Sequence, residues 1–488
     1  MTRNQPLNKV LSLKALGPIV LIWLCLSPFS QSNLGHLWVS TSGSVEDDDM
    51  RSIFVDDSGY IYATGLFRDT MDFDPGPDVF EIDLVGGSDI FIEKLDPDGN
   101  LVWVKQIAGI SYESPGNIVL DTMGNIIVSG QFSGTVDFDP GSGEYFMTST
   151  PGYDIYILKL DSNGEFLWAI SVGGTDSEEI QGLEIDPITN DIVYTGYYKN
   201  SIDFNPGTGS FIMNSLLNYY DIFVSRLDEN GNFIWAKTFG GNELDRAYDL
   251  DIDESGNIYF TGEFDGVGDY DPGPGLTLLV SEGNYDACLV KLSSAGELIW
   301  AKSYGGVYNV QGTCAQLSPN GKLIVAGFFD EEADLDPGPG SYDVSGVDGD
   351  PYVISLDTAG TFEWARTLQG GIGLELIEAV SFDSTGHICI AGDFDDSLTI
   401  SFASPPVTEY LDGTAQGYYI VILDSLGEYY ASTSLGGDFS VLHRDLFAKD
   451  NSIFICGRYY WYADFDPGPG YDPKVMVGED DFFVQKLF

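Results

Sequence analysis

The chain has 488 residues, with 76 acidic and 21 basic side chains and a formal net charge of −55. Proteins that bind nucleic acids or anionic membrane surfaces need a basic footprint, so this charge argues against both classes. Because 43% of the residues are hydrophobic and 14% are aromatic, the chain can bury a large core, which argues against intrinsic disorder.

Residues 1–32 have the pattern of a secretory signal peptide. Arg3, Lys9 and Lys14 precede an apolar run over residues 15–26, and small residues follow at Ser30 and Ser32. The run is too short to span a bilayer comfortably. We therefore predict that residues 1–32 are cleaved and that the protein is exported to the periplasm, the cell surface or the medium without a transmembrane segment. The remaining chain has 18 basic and 76 acidic residues, a formal charge of −58.

The rest of the chain, residues 33–488, is predicted to be one domain built from a repeat. Tryptophans recur at intervals of 64 to 67 residues, and Ala431 occupies the next register position after the last of them. The ladder is Trp38, Trp103, Trp168, Trp235, Trp300 and Trp364. We predict that it packs in the core or between units, because a repeat of this length is typical of a unit that cannot bury its own face alone.

Each repeat is predicted to form four strands, and four-stranded units repeated radially are propeller blades. The sequence after residue 32 begins with a fourth strand over residues 37–42 and ends with a third strand over residues 481–488, so the first of these is predicted to complete the last blade. We predict an all-β fold, a seven-bladed β-propeller with four antiparallel strands per blade. The blades are expected near residues 50–106, 115–172, 180–239, 247–304, 312–368, 377–435 and 442–488 plus 36–43. A β-solenoid or an open array of repeats is the alternative.

The repeat also resembles a known family. The run D-I-F-I-x-K-L-D-x-x-G-N-x-x-W-x-K, a Gly-Gly passage and then I-x-x-D-x-x-G-N-I-Y-x-T-G resembles the bacterial SBBP-type β-propeller repeat over nearly all of residues 37–488. The resemblance implies an extracytoplasmic propeller of undefined function, and it implies no catalytic residues.

A D-x-[DN]-P-G motif recurs in six repeats. Its paired residues are Asp72/Asp74, Asp137/Asp139, Asp203/Asn205, Asp269/Asp271, Asp334/Asp336 and Asp464/Asp466. Two residues apart in an extended chain, both side chains lie on one side, about 6–7 Å apart. Hard oxygen ligands beside a tight turn suit Ca²⁺. Asp-Pro-Gly also reads as a type II turn that an Asp side chain caps. The sequence leaves both interpretations open.

The motif is predicted to lie on the same rim as the passages between blades, which are acidic at residues 46–49, 176–179 and 243–245. One face of the propeller is therefore expected to be strongly negative. Such a face attracts cations or a basic partner, or it simply keeps the protein soluble.

Two further ladders and one divergent blade complete the pattern. An Asp opens the third strand at Asp89, Asp154, Asp221, Asp286, Asp350 and Asp481, where we predict a strand-start turn or a contact between blades. A basic residue follows five positions later at Lys94, Lys159, Arg226, Lys291 and Lys486, and it is predicted to pair with nearby carboxylates. Blade six departs from the repeat at Thr399, Ser401, Gly417 and Ala431, through sequence drift or as a specialised contact blade.

An exposed aromatic patch is predicted at Tyr459, Tyr460, Trp461 and Tyr462, where it would contact a ligand or partner. His36, His387 and His443 are too scattered in register for a histidine-based metal site. The four cysteines after residue 32 are predicted to be buried free thiols.

These patterns favour an exported, non-enzymatic, monomeric propeller that acts as a binding or scaffold module. It would be stabilised by calcium through the D-x-D-P-G loops and would bind a protein or glycan partner on the acidic rim. No catalytic residue is predicted. One alternative is a hydrolase or lyase that acts on polysaccharide, which needs a unique Asp/Glu pair lining a pocket. The other is a carbohydrate-binding adhesin.

Overall fold

A computed structural model of the chain describes residues 34–347, 349–370, 375–395, 397–410, 416–436, 440–468 and 470–488. The predicted signal peptide lies outside these residues. The described residues belong to one compact unit and form strands, turns and loops. Among them, no helix reaches the length and apolarity that crossing a membrane requires.

Seven four-stranded antiparallel sheets form a ring, and this arrangement confirms the predicted seven-bladed β-propeller. The innermost, first strands are Asp49–Val55 (β2), Glu113–Leu120 (β8), Glu178–Ile185 (β14), Asp245–Ile252 (β20), Val310–Leu317 (β26), Leu376–Phe382 (β32) and Val441–Lys449 (β38). The second strands are Ile61–Phe67 (β3), Ile126–Phe132 (β9), Ile192–Lys199 (β15), Ile258–Phe264 (β21), Lys322–Phe329 (β27), Ile388–Phe394 (β33) and Ser452–Asp464 (β39). The third strands are Asp89–Leu95 (β6), Asp154–Leu160 (β12), Tyr220–Leu227 (β18), Asp286–Leu292 (β24), Asp350–Asp357 (β30), Gly417–Leu423 (β36) and Pro473–Leu487 (β40). The outermost, fourth strands are Leu101–Gly109 (β7), Phe166–Gly174 (β13), Phe233–Gly241 (β19), Leu298–Tyr304 (β25), Phe362–Thr367 (β31), Tyr429–Leu435 (β37) and His36–Ser42 (β1).

The ring closes in blade 7, where the two ends of the described chain pair. Strand β1 lies antiparallel to β40, in a register that runs from His36 opposite Leu487 to Ser42 opposite Phe482. Gly35 and Phe488 exchange both backbone hydrogen bonds at 2.9 Å. The predicted closure is therefore confirmed, and the open-array alternative is wrong because β38 of blade 7 packs against β2 of blade 1.

Short hairpins lie between the second and third strands of blades 1 to 6, and those of blades 2 to 6 join consecutive blades, a connection that the sequence pattern did not predict. They are Met71–Asp72 (β4) with Glu81–Ile82 (β5), Thr135–Asp137 (β10) with Phe146–Thr148 (β11), Ser201–Asp203 (β16) with Ile212–Asn214 (β17), Val267–Asp269 (β22) with Leu278–Val280 (β23), Glu332–Asp334 (β28) with Asp343–Ser345 (β29), and Ser397–Ile400 (β34) with Val407–Tyr410 (β35). In blade 2, β10 pairs with β7 of blade 1. The same pairing of a hairpin with the preceding blade recurs in blades 3 to 6. Each such hairpin therefore covers part of the edge of the sheet before it.

The tryptophan ladder packs between blades, as predicted. Each indole lies against the glycine of the turn between strands three and four of the next blade: Trp38 on Gly99, Trp103 on Gly164, Trp168 on Gly231, Trp235 on Gly296, Trp300 on Gly360 and Trp364 on Gly427. A Cβ atom at Gly99 would come within 2.9 Å of the Trp38 ring, so the ring needs a glycine there.

This offset accounts for Ala431 in blade six. Its neighbour is blade 7, whose third and fourth strands are β40 and β1 from opposite ends of the chain. Within the described residues, no turn therefore connects these two strands as a resting place for an indole. Position, rather than drift or a specialised contact, explains the missing tryptophan.

Candidate functional site

The D-x-[DN]-P-G pairs lie at the tips of the hairpins and hold them by hydrogen bonds. In blade 2, Asp137 Oδ1 accepts the backbone N–H groups of Asp139 at 3.1 Å and Tyr145 at 2.7 Å. Asp139 Oδ1 accepts the N–H of Gly141 at 2.8 Å. The first side chain therefore closes the whole turn, and the second closes the Pro-Gly step within it.

The other five pairs make the equivalent bonds in their own repeats. The first residue of each pair accepts two backbone N–H groups, one two positions later and one eight positions later: Asp72, Asp203, Asp269, Asp334 and Asp464. The second residue accepts the N–H of the glycine two positions later: Asp74 at 2.7 Å, Asn205 at 2.9 Å, Asp271 at 2.8 Å, Asp336 at 2.7 Å and Asp466 at 2.7 Å. An amide oxygen at Asn205 does the same work as the carboxylates, so this bond needs no charge.

The structure does not bring the predicted calcium ligands into larger groups. Within the described part of the chain, none of the eleven aspartates among the twelve predicted ligands lies in a group of three or more His, Cys, Asp or Glu side chains that could hold a metal ion together. The twelve residues are Asp72, Asp74, Asp137, Asp139, Asp203, Asn205, Asp269, Asp271, Asp334, Asp336, Asp464 and Asp466. The turn-capping interpretation of the motif is therefore confirmed, whereas calcium binding by these residues stays a prediction.

The residue between the paired side chains anchors each hairpin in the core. These residues are Phe73, Phe138, Phe204, Tyr270, Leu335 and Phe465, and each is fully buried. Phe138 packs edge-on against Phe132, with ring centroids 5.1 Å apart. The alternation of a buried plug and two more exposed polar side chains places both paired groups on the outer side of the hairpin, as the spacing predicted.

Of the four residues of the predicted aromatic patch, Tyr460 and Trp461 are exposed and Tyr462 is half-buried, whereas the predicted contact with a ligand or partner stays a prediction. Tyr459 is buried and its hydroxyl lies 3.4 Å from Asp481, so its assignment to an exposed patch is wrong. It faces inward because side chains alternate along β39. Tyr460 and Trp461 are 40% and 51% exposed, and Tyr462 donates to the hydroxyl of Tyr471, which is 70% exposed. Tyr460, Trp461, Tyr462 and Tyr471 are called the aromatic hairpin below.

The acidic passages contribute less surface charge than the sequence indicates. Glu46 is exposed, but Asp48, Asp49, Glu178 and Asp245 are buried where the first strands begin. Burial raises the pKa of Asp48 to about 7 and that of Asp245 to about 8, in spite of hydrogen bonds that lower it. The prediction of a strongly negative rim is therefore wrong at these residues.

The central channel carries side chains that do not repeat. The seven first strands enclose a cavity of about 450 Å³, and each of them has a β-bulge. A bulge turns an extra side chain out of the alternation, here toward the channel. The channel-lining residues at these irregularities are Arg51, Asn117, Gln181, Tyr248, Thr313, Glu378 and Arg444. The spacing of 64 to 67 residues between tryptophans does not predict these residues, because one extra residue in a strand changes that spacing no more than a difference in loop length does.

One cluster in the channel wall combines a histidine with two carboxylates. Glu378, Asp393 and His443 place one ligand atom each within 4.8 Å of one another, the only such group of three among the described residues. Asp393 Oδ1 accepts a hydrogen bond from His443 Nδ1 at 2.8 Å, and His443 is fully buried. The prediction that the histidines are too scattered for a metal site considered histidines alone. In the structure, Glu378 and Asp393 of blade 6 form a group with a single histidine, His443 of blade 7. The positive charges of Arg444 and Arg51 act on Glu378, so the protein itself supplies positive charge beside this carboxylate.

Deeper carboxyl groups of the channel join neighbouring blades. Asp249 Oδ2 accepts the N–H of Ala315 at 2.9 Å, and Asp445 Oδ2 accepts the N–H of Ile53 at 3.0 Å. Burial raises the pKa of Asp249 to about 7. These carboxyl groups are therefore committed to holding the ring together.

Glu93 gives a direct test of buried acidity. This residue of β6 is 3% exposed, and burial alone raises its pKa to about 8. The folded state prefers the protonated carboxyl, so its contribution to stability is complete below pH 4.5 and is lost as the pH rises through 8. At pH 9, Glu93→Gln is expected to raise the free energy of unfolding by roughly 2–4 kcal/mol and the melting temperature with it. At pH 5, it should change both quantities little.

The measurement is a thermal melt at both pH values. Glu254→Gln, at an exposed turn position, is the control and should show no difference between them. An equal effect of Glu93→Gln at pH 5 and pH 9 would contradict the assignment.

The ring of seven four-stranded sheets around the channel defines the chain as a seven-bladed β-propeller. No protein-family model matches the chain, so the SBBP-type resemblance is not confirmed. An uncharacterized WD repeat-containing protein of Acanthamoeba polyphaga mimivirus is 23% identical over 456 residues, covering 77% of this chain. The chain spans about a third, 32%, of that relative's length.

Among solved structures, virginiamycin B lyase from Staphylococcus aureus is 8% identical with a TM-score of 0.42, covering 92% of this chain and 99% of that one. A protein of unknown function from Bacteroides caccae is 11% identical with a TM-score of 0.35, covering 70% of this chain and 89% of that one. These likenesses carry no argument about function.

Proposed function

We propose that the chain is an exported, non-enzymatic, monomeric β-propeller that binds a protein or glycan partner on its hairpin face. An extracytoplasmic role, as the SBBP-type resemblance implies, and calcium stabilisation through the hairpin pairs are parts of this proposal. The observation that supports it is the aromatic hairpin of blade 7. Its strands, β39 and β40, are the longest of the described strands, with 13 and 15 residues.

The aromatic hairpin has the chemistry of a recognition surface. Trp461 lies at a bulge between Tyr460 and Tyr462 and has a φ of 67°, a left-handed conformation that is unusual for a bulky residue. Val475 and Val477 on β40 are 70% and 68% exposed and extend the apolar surface. Aromatic rings stack on apolar faces and donate hydrogen bonds at their edges, so Trp and Tyr dominate many binding surfaces.

The test is a glycan array together with a pull-down from the envelope fraction of the source organism. Trp461→Ala is expected to weaken the signal at least about tenfold, since a central aromatic contact contributes about 2 kcal/mol or more. Phe146→Ala removes a similarly exposed ring from the hairpin of blade 2 and should leave the signal unchanged. Equal binding by the wild type and Trp461→Ala would remove this site from the proposal, and a glycan signal would identify the adhesin alternative.

A polysaccharide hydrolase or lyase is the second candidate, and one observation favours it. Glu378 lines the channel, and Asp393 of the same blade has a carboxylate oxygen within 4.8 Å of it, which gives a unique pair of the kind that this alternative requires. Incubation with a panel of polysaccharides tests it directly. Unchanged chain lengths across the panel would rule it out.

A further inference from the structure

Pairs of buried carboxyl groups lie at the junctions between blades. Each pair joins the Asp that opens a third strand with an acidic residue 24 positions later that opens the first strand of the next blade. Asp89 with Glu113 lies between blades 1 and 2, and Asp154 with Glu178 between blades 2 and 3. All four residues are at most 3% exposed. They form no ion pair with any basic side chain that the structure describes.

At these two junctions, buried oxygen atoms have no hydrogen-bond partner. Asp89 Oδ2 accepts the N–H of Val85 at 2.7 Å and the side-chain amide of Gln106 at 2.6 Å, but its Oδ1 accepts nothing. Both carboxylate oxygens of Glu113 and both of Glu178 are likewise without a partner. A buried polar atom without a partner costs free energy, more so when it is charged, so each needs a partner of another kind.

The glycine passage between blades brings the carboxyl groups of each pair together. A Cβ atom at Gly173 would lie 2.2 Å from Cγ of Asp154, and one at Gly174 would lie 2.6 Å from Oε1 of Glu178. At the first junction, a Cβ atom at Gly109 would lie 2.3 Å from Oε1 of Glu113. The carboxyl groups of each pair therefore lie along one glycine passage, where the charge of Asp89 acts on Glu113 and that of Asp154 acts on Glu178.

We propose that a divalent cation, Ca²⁺, binds between the carboxyl groups at these two junctions and links blade 1 to blade 2 and blade 2 to blade 3. Ca²⁺ accepts carboxylate and backbone carbonyl oxygens at variable geometry, which suits two acidic side chains beside a glycine passage. Burial, and then the neighbouring carboxylate, raises the pKa of Glu113 to about 8 and that of Glu178 to about 9. A bound cation removes both unfavourable contributions.

Three other junctions serve as internal comparisons, because the acidic residue at the start of the first strand accepts hydrogen bonds within the protein there, although one oxygen each of Asp221 and Asp481 has no partner. Asp245 accepts the N–H of Gly241 at 2.8 Å and the hydroxyl of Tyr270 at 3.2 Å. Asp48 accepts hydrogen bonds from the N–H and hydroxyl of Ser44 and from the N–H of Arg68. Glu375, between blades 5 and 6, also makes a contact of its own. The proposed sites are therefore the two junctions where both carboxylate oxygens of the residue that opens the first strand are buried without a hydrogen bond of normal geometry.

The experiment is a thermal melt of the full-length chain at pH 7.5 in 1 mM CaCl₂ and in EDTA, with calcium titration calorimetry. This inference does not depend on partner binding, and it competes with the hairpin pairs as the position of bound calcium. Calcium is expected to raise the melting temperature of the wild type by several degrees. Glu113→Gln with Glu178→Gln should lose this increase, whereas Asp74→Asn with Asp139→Asn, in the hairpins of blades 1 and 2, should retain it.

Glu113→Gln alone keeps the test informative if the double variant folds poorly, because it should remove one of two calorimetric binding equivalents. Loss of the calcium effect in the hairpin variant with retention in the junction variant would overturn the inference in favour of the hairpins. Equal wild-type melts in calcium and EDTA would overturn both positions. In that case a higher melting temperature of the junction variant would identify a shared proton between the carboxyl groups.

Discussion

Deletion of residues 34–44 is expected to abolish the cooperative unfolding of the intact ring and to expose the edge of blade 7 to aggregation. Strand β1 supplies the fourth strand of that blade, and Trp38 packs on Gly99 of blade 1. Without β1, the backbone of β40 becomes an unpaired edge beside the buried side chains of Phe482 and Phe483. We expect the melting temperature to fall by more than about 10 °C, because neighbouring repeats stabilise one another through their interfaces.

Thermal melts and size-exclusion chromatography measure this effect. A peptide of residues 33–44, added in trans, should restore part of the lost stability, since it can pair with β40 in the native register. Trp38→Ala is the matched point variant: it removes the contact to blade 1 but keeps the strand, so its loss should be smaller. A deletion variant that melts like the wild type would show that β1 does not close the ring in solution.

Replacement of Arg226 by Met is expected to cost about 3–5 kcal/mol of unfolding free energy, because it leaves a buried carboxylate without its counter-charge. Arg226 is 4% exposed. It donates to Asp186 at 2.5 Å, to Asp191 at 2.8 Å and to the carbonyl of Ser294 in blade 4 at 3.1 Å. The side chain therefore neutralises two carboxylates and joins two blades.

The denaturation midpoint in guanidinium chloride measures this loss. Arg68→Met, which breaks the half-exposed pair with Asp47, is the control and should cost about 1 kcal/mol or less. Combining Arg226→Met with Asp186→Asn and Asp191→Asn should recover part of the stability, because the buried charges are then gone. A single Arg226→Met variant as stable as the control would contradict the role of this ion pair.

The repeated features of this protein could be predicted from its sequence because each of them is local. The Trp ladder, the four strands and the hairpin motif each occupy a fixed position within one unit, so the period alone identifies them. The closure by β1 followed from counting strands at the two ends. The predicted pairing of the basic ladder with carboxylates is confirmed for three of its five members, Lys159, Arg226 and Lys291. It is wrong for the other two, because Lys94 donates to the hydroxyl of Tyr62 and Lys486 to the carbonyl of Pro97.

The features that do not repeat could not be predicted, because they depend on contacts between blades. His443 and Asp393 are 50 residues apart and meet only because blades 6 and 7 are neighbours. The burial of Tyr459 depends on which face of β39 it occupies, which a run of four aromatic residues does not reveal. Glu113 and Glu178 had a signal, their constant spacing from Asp89 and Asp154, but its meaning depends on the junction that brings each pair together.

The offset packing of each tryptophan on the following blade has a consequence for how such an array changes in length. A duplicated unit carries both a tryptophan that packs on the turn of the following unit and a glycine turn that receives the tryptophan of the preceding unit. An internal unit can therefore be gained or lost without leaving a tryptophan or a glycine turn unpaired. Only the unit before the closing blade needs no tryptophan, and the alanine in blade six therefore marks the position at which the propeller closes.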